Sequence, residues 1–333
     1  MLIAGDIGGT KTDLAIYSDQ SGPHAPVAEA EFRSADFPTL QAMVSQFLKQ
    51  SAMAVDVGSF AVAGPVVDGR VKATNLPWTM DEASFAQDLK LKGVHFLNDL
   101  EAVARAVPIL RPTDVVTLNE GSSIPGGAIA IIAPGTGLGE SFLTWDGSGY
   151  VAHSSEGGHS NFAPSDARQI RLLEYLLRSF DHVGVERVCS GIGIPNIYEY
   201  LRDEERIPES PAVSARIASA HDRTKAIAEA SNDPEHPSER CRATFEILSS
   251  ILASETGNLV LKVFATGGVY MAGGVALHMM DRLRAARFVE DFTRKGRFRD
   301  LMKRIPLHVI TTRAALAGAA SNGLELLKEK VRK

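Results

Sequence analysis

The sequence predicts an α/β protein built as two related halves. Strand-sized apolar runs alternate with apolar residues at helical spacing. A strand, a glycine turn and a second strand occur at Leu2 to Tyr17, and the same order returns at Ile129 to Thr144. With 333 residues, 44% hydrophobic and 23% charged, the chain can bury the core of one large or two medium domains.

In chain order, Leu2 to Ile7 and Leu14 to Tyr17 read as a hairpin, and Val27 to Phe32 as a third strand. Pro38-Thr39 opens a helix carrying Leu40, Val44, Phe47 and Leu48 on one face. Gly58 to Ala63 is a buried-type strand ended by Gly64-Pro65. Phe85 to Leu91 reads as a helix, Val94 to Leu97 as a strand and Leu100 to Val107 as a helix stopped by Pro108. Two prolines around Arg111 mark a crossing between domains. Strands follow at Val115 to Leu118, Gly127 to Ala133, Glu140 to Trp145 and Gly149 to His153, and the pattern turns helical from Ser165. Ser231 to Glu239 is an exposed connection, Phe245 to Phe264 a long apolar helix, and Ala265 to Met271 a strand running into glycines. Leu307 to Ile310 is the last strand and Ala314 to Lys330 a closing amphipathic helix.

Several function classes fall away on composition. With 35 basic residues against 40 acidic ones, net charge −5 and few aromatics, no nucleic-acid-binding surface is expected. Cys189 and Cys241 have no ligand-like spacing, so neither a zinc site nor a disulfide framework is expected. The first residues turn acidic at Asp6 before a signal segment could form, and no apolar run is membrane-sized. A cytoplasmic protein is the expectation.

Six segments carry possible chemistry. Asp6-Ile7-Gly8-Gly9-Thr10-Lys11 lies in a turn between strands, where glycines let backbone N–H groups approach a polyphosphate and Thr10 and Lys11 add a hydroxyl and a cation. Asp6 can hold a hydrated magnesium, a hard cation that prefers oxygen. The alternative is a plain hairpin turn. Pro134-Gly135-Thr136-Gly137-Leu138-Gly139 is a second such turn, or a flexible loop. Asn98-Asp99 stands at the end of a strand, where α/β folds place ligands. Asp99 can take a proton from a hydroxyl while Asn98 bonds a neighbouring one, or the pair can simply cap a helix.

In Ser155-Glu156-Gly157-Gly158-His159 a carboxylate and an imidazole are hinged by two glycines, a pattern suited to adjacent sugar hydroxyls. No second His or Cys is spaced to make His159 a metal ligand. Glu186, in Glu186-Arg187-Val188-Cys189-Ser190-Gly191, reads by itself as a solvated acid. Gly273-Gly274 lies between a strand and a helix, as a bed for an adenosine or as a simple turn.

Taken together and in this order, from Gly5 to about Gly323, the six segments resemble the bacterial glucokinases of the hexokinase–actin–heat-shock ATPase superfamily. The resemblance implies a two-domain actin-like ATPase (ribonuclease H-like) fold with a cleft. Residues 1–110 and 313–333 would form the small domain, and 111–312 the large one. It implies ATP-dependent phosphorylation of glucose to glucose 6-phosphate, with ATP and Mg2+ as cofactors. Asp6 to Lys11 would be the first phosphate motif, Gly135, Thr136 and Gly137 the second, and Gly273 and Gly274 the adenosine motif. Asn98, Asp99, Glu156, His159 and Glu186 would meet the sugar, with Asp99 as general base and Asp6 holding magnesium through water.

Some positions depart from the commonest pattern of the group: Lys11, where many members carry Asn, Glu140 after the second turn, and Ile192-Gly193-Ile194. Gly64-Pro65 and Thr74-Asn75-Leu76-Pro77-Trp78 also match and are candidates to line the sugar cleft. The long apolar helix from Phe245 suggests a homodimer. Two other readings stay open: a kinase for another hexose, and a catalytically silent sugar sensor on the same scaffold.

Overall fold

The computed structural model describes residues 1–20, 22–74 and 76–331, so Asn75 lies outside the described residues. Contacts divide the chain into two compact units. The first comprises Met1–Asp114, Gly149–Ser154 and Thr312–Lys333, the second Val115–Ser148 and Ser155–Thr311.

Unit 1 opens with β1 (Leu2–Ile7), β2 (Lys11–Tyr17), β3 (Ala28–Arg33), α1 (Leu40–Ser51) and β4 (Val57–Val62). Next come β5 (Val66–Val67), β6 (Arg70–Lys72), β7 (Thr79–Asp81), α2 (Glu82–Leu89), β8 (Gly93–Asn98) and α3 (Asp99–Ala106). The five-stranded sheet has the order β3-β2-β1-β4-β8. Pairing is antiparallel through β1, β2 and β3 and parallel through β1, β4 and β8. One face packs Ile3, Leu14, Phe60 and Phe96 into a core under α1 and α2, and α2 adds Phe85 to it. The rings of Phe60, Phe85 and Phe96 lie 5.2 to 5.9 Å apart in tilted and edge-on arrangements, which such rings favour.

The other face of that sheet is covered by α13 (Ala314–Val331), whose Leu316, Ala319, Ala320 and Leu324 meet Leu2, Ala4, Val57 and Ala61. The small residues that give α13 its amphipathic look allow close approach. A Cβ on Gly318 would overlap the carbonyl oxygen of Ala102 on α3. Asn322 is buried there and donates to Ser59 Oγ at 3.1 Å, with His95 Nδ1 2.9 Å away.

Unit 2 runs through β9 (Val115–Asn119), β10 (Ile129–Pro134) and β11 (Leu138–Trp145), whereas β12 (Tyr150–Ser155) belongs to unit 1 as far as Ser154. Then come α4 (Ala167–Leu176), α5 (Gly193–Asp203), α6 (Pro211–Ser219), α7 (Arg223–Ser231), α8 (Glu239–Val263) and β13 (Gly268–Met271). The unit ends with α9 (Gly274–His278), α10 (Met280–Arg284), α11 (Ala286–Thr293), α12 (Arg299–Lys303) and β14 (Leu307–Ile310). Within the unit, sheet neighbours follow the order β11-β10-β13-β14-β9. The hairpin β10–β11 is antiparallel, with parallel β13 beside β10, repeating the arrangement of β1, β2 and β4. This is the echo legible in the sequence.

Several elements differ from their sequence expectation, each for a local reason. α2 starts at Glu82 because Asp81 caps it, accepting from the Ser84 N–H at 3.0 Å. α8 likewise begins at Glu239, capped by Ser238, which accepts from Cys241 at 3.0 Å. It ends where Phe264 turns left-handed, with φ 52°, and Gly268 at φ 123° delays β13. α8 buries Phe245, Leu248, Ile251, Leu252, Leu259 and Val260 in the core of its own unit. Its apolar character is therefore used internally and gives no argument for a homodimer.

Candidate active site

The three parallel strands of unit 1 are in register, Ile7 opposite Val62 and Val62 opposite Asn98. Their C-terminal ends therefore reach one edge of the sheet, the place where open α/β sheets bind ligands. That edge carries Asp6 and the glycine turn after β1, Gly64 after β4, and Asn98-Asp99 after β8. The turn closes on itself, Gly8 N–H donating to Lys11 O at 3.0 Å. Ser34 braces it from outside: its Oγ donates to Gly8 O at 2.7 Å and its N–H to Thr10 O at 3.1 Å.

The helix-capping alternative is resolved in favour of Asn98. Its Oδ1 accepts from the N–H groups of Leu100 at 2.9 Å and Glu101 at 3.3 Å, and its Nδ2 donates to Gly64 O at 3.1 Å. Asp99 is the first helical residue, and its Oδ1 also accepts from Leu100 N–H at 2.9 Å. Burial pushes its carboxyl above the usual carboxylate range, against the pull of that N–H.

Asp6 is pushed further, to about 7, by burial first and then by the charges of Asp99 and Asp13, with Lys11 and Arg313 acting the other way. Three carboxylates thus share this edge. Asp13, opposite Asp6 in the β1–β2 pairing, is buried, and its Oδ1 has no hydrogen-bond partner. Arg313 lies 3.7 Å from it. Lys11 does not point freely over the turn: its Nζ is 2.7 Å from Glu31 and 3.9 Å from Asp13.

In unit 2 the remaining segments meet. The turn Gly135–Gly137 closes by Gly135 N–H to Gly137 O at 2.8 Å. It receives the N–H groups of Gly191 on Gly135 O at 2.8 Å and Ile192 on Thr136 O at 3.1 Å. Glu186 reaches the same turn, its Oε2 accepting from Leu138 N–H at 3.1 Å and filling the space where a side chain on Gly137 would stand. Gly273, with φ 91°, backs onto Pro134, whose carbonyl oxygen would lie 2.5 Å from a Cβ there. Only glycine fits that contact.

Glu156 and His159 are exposed and stand 3.8 Å apart. Their loop is tied to the Glu186 segment by Val185 N–H donating to Ser160 O at 2.9 Å. The Gly135–Gly137 turn, the Gly273-Gly274 turn, Glu186 and the Glu156/His159 loop are therefore contiguous within one unit. Trp78, expected to line a sugar site, is instead buried in the core of unit 1.

Sequence reasoning missed Asp13, Ser34 and Arg313, and marked Glu140 only as a departure from the commonest pattern of the group. Asp13 carried a signal, a charge inside an apolar strand; Ser34 and Arg313 carried none. Among the described residues, no group of three or more His, Cys, Asp or Glu is placed to hold a metal ion directly. No helix among them is long and apolar enough to cross a membrane.

Two glycine-turn hairpins, each beside a parallel strand, with a raised carboxyl at the strand ends, define a phosphotransferase of the actin-like ATPase fold. Comparison with known proteins narrows the class. A glucokinase family model matches residues 3–325. The glucokinase of Nostoc punctiforme is 38% identical over 335 residues, covering 96% of this chain and 98% of that protein. The crystal structure of a glucokinase from an Antarctic psychrotroph superposes with TM-score 0.84 at 30% identity, covering 97% of this chain and 98% of that one. A ROK family glucokinase from Streptomyces griseus, solved with glucose and AMPPNP, shares the fold at TM-score 0.64 and 18% identity, over 97% and 99% of the two chains. The chain belongs to the glucokinase family.

Proposed function

We propose that this protein transfers the γ-phosphoryl group of ATP to the 6-hydroxyl of glucose, with Asp99 as general base. The observation that carries the mechanism is the joint placement of Asp6 and Asp99 at one sheet edge, with both carboxyls raised by burial. A carboxyl poised nearer neutrality is a better proton acceptor for an alcohol than an ordinary aspartate. Asn98, bonded through its Nδ2 to Gly64 O and lying beside the Asp99 carboxyl, would meet a neighbouring hydroxyl of the sugar. Glu156, His159 and Glu186 would meet further hydroxyls.

Phosphoryl transfer needs positioning and charge neutralisation above all. Gly9, Thr10 and Lys11 in unit 1, and Thr136 and Gly137 in unit 2, would offer backbone N–H groups and hydroxyls to the phosphates, on turns that the N–H groups of Gly8 and Gly135 close. Gly273 and Gly274 would bed the adenosine. The donor set fits magnesium held through water: Asp6 has two carboxylate neighbours whose mutual repulsion a dication would relieve. Magnesium there would neutralise phosphate charge, with Asp6 orienting its waters. Residues 1–110 with 313–333, and residues 111–312, would act as small and large domains. A cytoplasmic location, where ATP is plentiful, suits the reaction.

The test is a coupled ATP assay. Asp99→Ala should cost roughly two to four orders of magnitude in kcat, the usual contribution of a positioned base. Near-normal turnover by that variant would remove the assignment. A panel of hexoses in the same assay separates a glucose kinase from one for an epimer, since a site of hydroxyl partners rejects a misplaced hydroxyl strongly. No turnover with any hexose would restore the silent-sensor reading.

A further inference from the structure

Among the buried acids that the mechanism does not use, one stands beside the second glycine turn. Glu140, on β11 three residues after Gly137 of the second glycine turn, is 2% exposed, and its Oε1 has no hydrogen-bond partner. Burying a carboxyl without partners is costly, so its retention calls for an explanation. Its other oxygen supplies one. Oε2 occupies the space where a side chain on Gly157 would stand. Gly157 is not in a left-handed conformation, so its glycine is required by Glu140 rather than by the backbone. Gly157 is the hinge between Glu156 and His159, and the next residue, Gly158, is pressed against Leu138 O in the same way. Glu186 and Gly137 form the same kind of pair at the phosphate turn.

We propose that Glu140 is a positioning residue for the sugar: its carboxyl is the floor on which the Glu156–His159 turn rests, and it sets where those two side chains meet the hexose. The inference rests on the sugar-contact reading of Glu156 and His159. Around Glu140 the charged groups are well defined. Glu255 on α8 is buried, held by Lys262 Nζ at 3.0 Å and Asn258 Nδ2 at 2.8 Å. Lys295 is bound to Asn258 Oδ1 at 2.7 Å and Ser254 O at 2.8 Å. Cys189 is a buried thiol held well above its ordinary range by burial, Glu255 and Glu140. Glu156 and His159 flank the turn itself.

Glu140 is pushed up to about 7, by burial first and then by Glu255, with Lys262 acting the other way. The neutral carboxyl therefore persists to near-neutral pH. Above that, the floor gains a charge for which Oε1 has no donor. The nearest remedy is to draw on the Gly157 N–H, now given to Ser155 Oγ at 3.0 Å, and this disturbs the turn.

The experiment measures KM for glucose and for ATP from pH 6 to 8 in the full-length wild type, Glu140→Gln, Gly157→Ala, Glu140→Ala and the double variant Glu140→Ala/Gly157→Ala. Glu140→Gln keeps the shape without the titration. The wild-type glucose KM should rise about three- to tenfold relative to that of Glu140→Gln between pH 6 and 8, with ATP KM and kcat within twofold. Gly157→Ala should raise the glucose KM at least tenfold, and much less on the Glu140→Ala background, because the clash is gone. A wild-type to Glu140→Gln ratio constant with pH, or a Gly157→Ala effect independent of Glu140, overturns the proposal. Glu156→Ala serves as the separate control. If it raises the glucose KM while the Glu140 results fail, only this inference falls; if it changes nothing, the sugar-contact reading falls with it.

Discussion

Asp6→Asn should make the protein more stable at neutral pH while disabling it. The carboxyl of Asp6 titrates near 7 in the folded chain against 3.8 in an ordinary aspartate. An acid whose folded pKa is raised binds its proton more tightly when folded. Its contribution is most favourable below about pH 4 and is lost as the pH climbs towards 7. Between pH 5 and pH 7 the unfolded chain is already ionised and the folded one is not. At about 1.4 kcal/mol per pH unit this window costs the wild type up to about 3 kcal/mol. Asp6 is only partly shielded from solvent, so screening reduces the realised value to about 1–2 kcal/mol. Asparagine does not titrate and does not repel Asp13 or Asp99. Urea unfolding followed by circular dichroism, with EDTA present, at pH 5, 6.5 and 8 should show the stability of the variant over the wild type growing by that amount, then levelling. A difference that is flat, or that shrinks towards pH 8, refutes the account of Asp6 as a strained acid.

Two further outcomes follow from close backbone contacts. Gly318→Ala should destabilise the protein by about 1–3 kcal/mol despite the better helix propensity of alanine, because the new Cβ overlaps the Ala102 carbonyl oxygen, which belongs to a helix and cannot swing away. Urea midpoints measure this, and an unchanged or higher midpoint contradicts the packing described. Gly137→Ala should displace Glu186 from Leu138 N–H and lower kcat/KM by about ten- to a hundredfold, with the thermal midpoint moved by only a few degrees. Steady-state kinetics with full activity retained would show that the Glu186 contact is incidental.

Much of the fold could be read in the sequence because its signals are local. Glycines between two apolar runs mark both hairpins, and Thr39 announces its helix, whereas the caps Asp81 and Ser238 start their helices earlier than the apolar spacing from Phe85 and Phe245 indicates. The failures are of another kind. Trp78 was misread because the strands that fold it under the sheet, β5 to β7, are two or three residues long and leave no periodic trace. The sequence puts Asp13 just before a strand beginning at Leu14, yet β2 starts at Lys11 and is buried on both faces, one against α1 and the other against α13. The pairs Glu140–Gly157 and Glu186–Gly137 join residues distant in sequence, and no pattern within one segment shows that a glycine is kept to make room for an acid elsewhere. Lys11 reads as a free cation until the neighbouring strand supplies Glu31.

The last helix has a bearing on how such a chain is made. Residues 314–331 lie on β1, β4 and α3, elements synthesised some two hundred or more residues earlier. On the ribosome, the first sheet emerges with one apolar face uncovered and waits for that lid through the whole synthesis of the second unit. The second unit draws its core from residues 130 to 309, all of them later in the chain than that sheet, and can settle first. A nascent chain arrested before residue 314 would therefore leave Leu2, Ala4, Val57 and Ala61 without the helix that covers them.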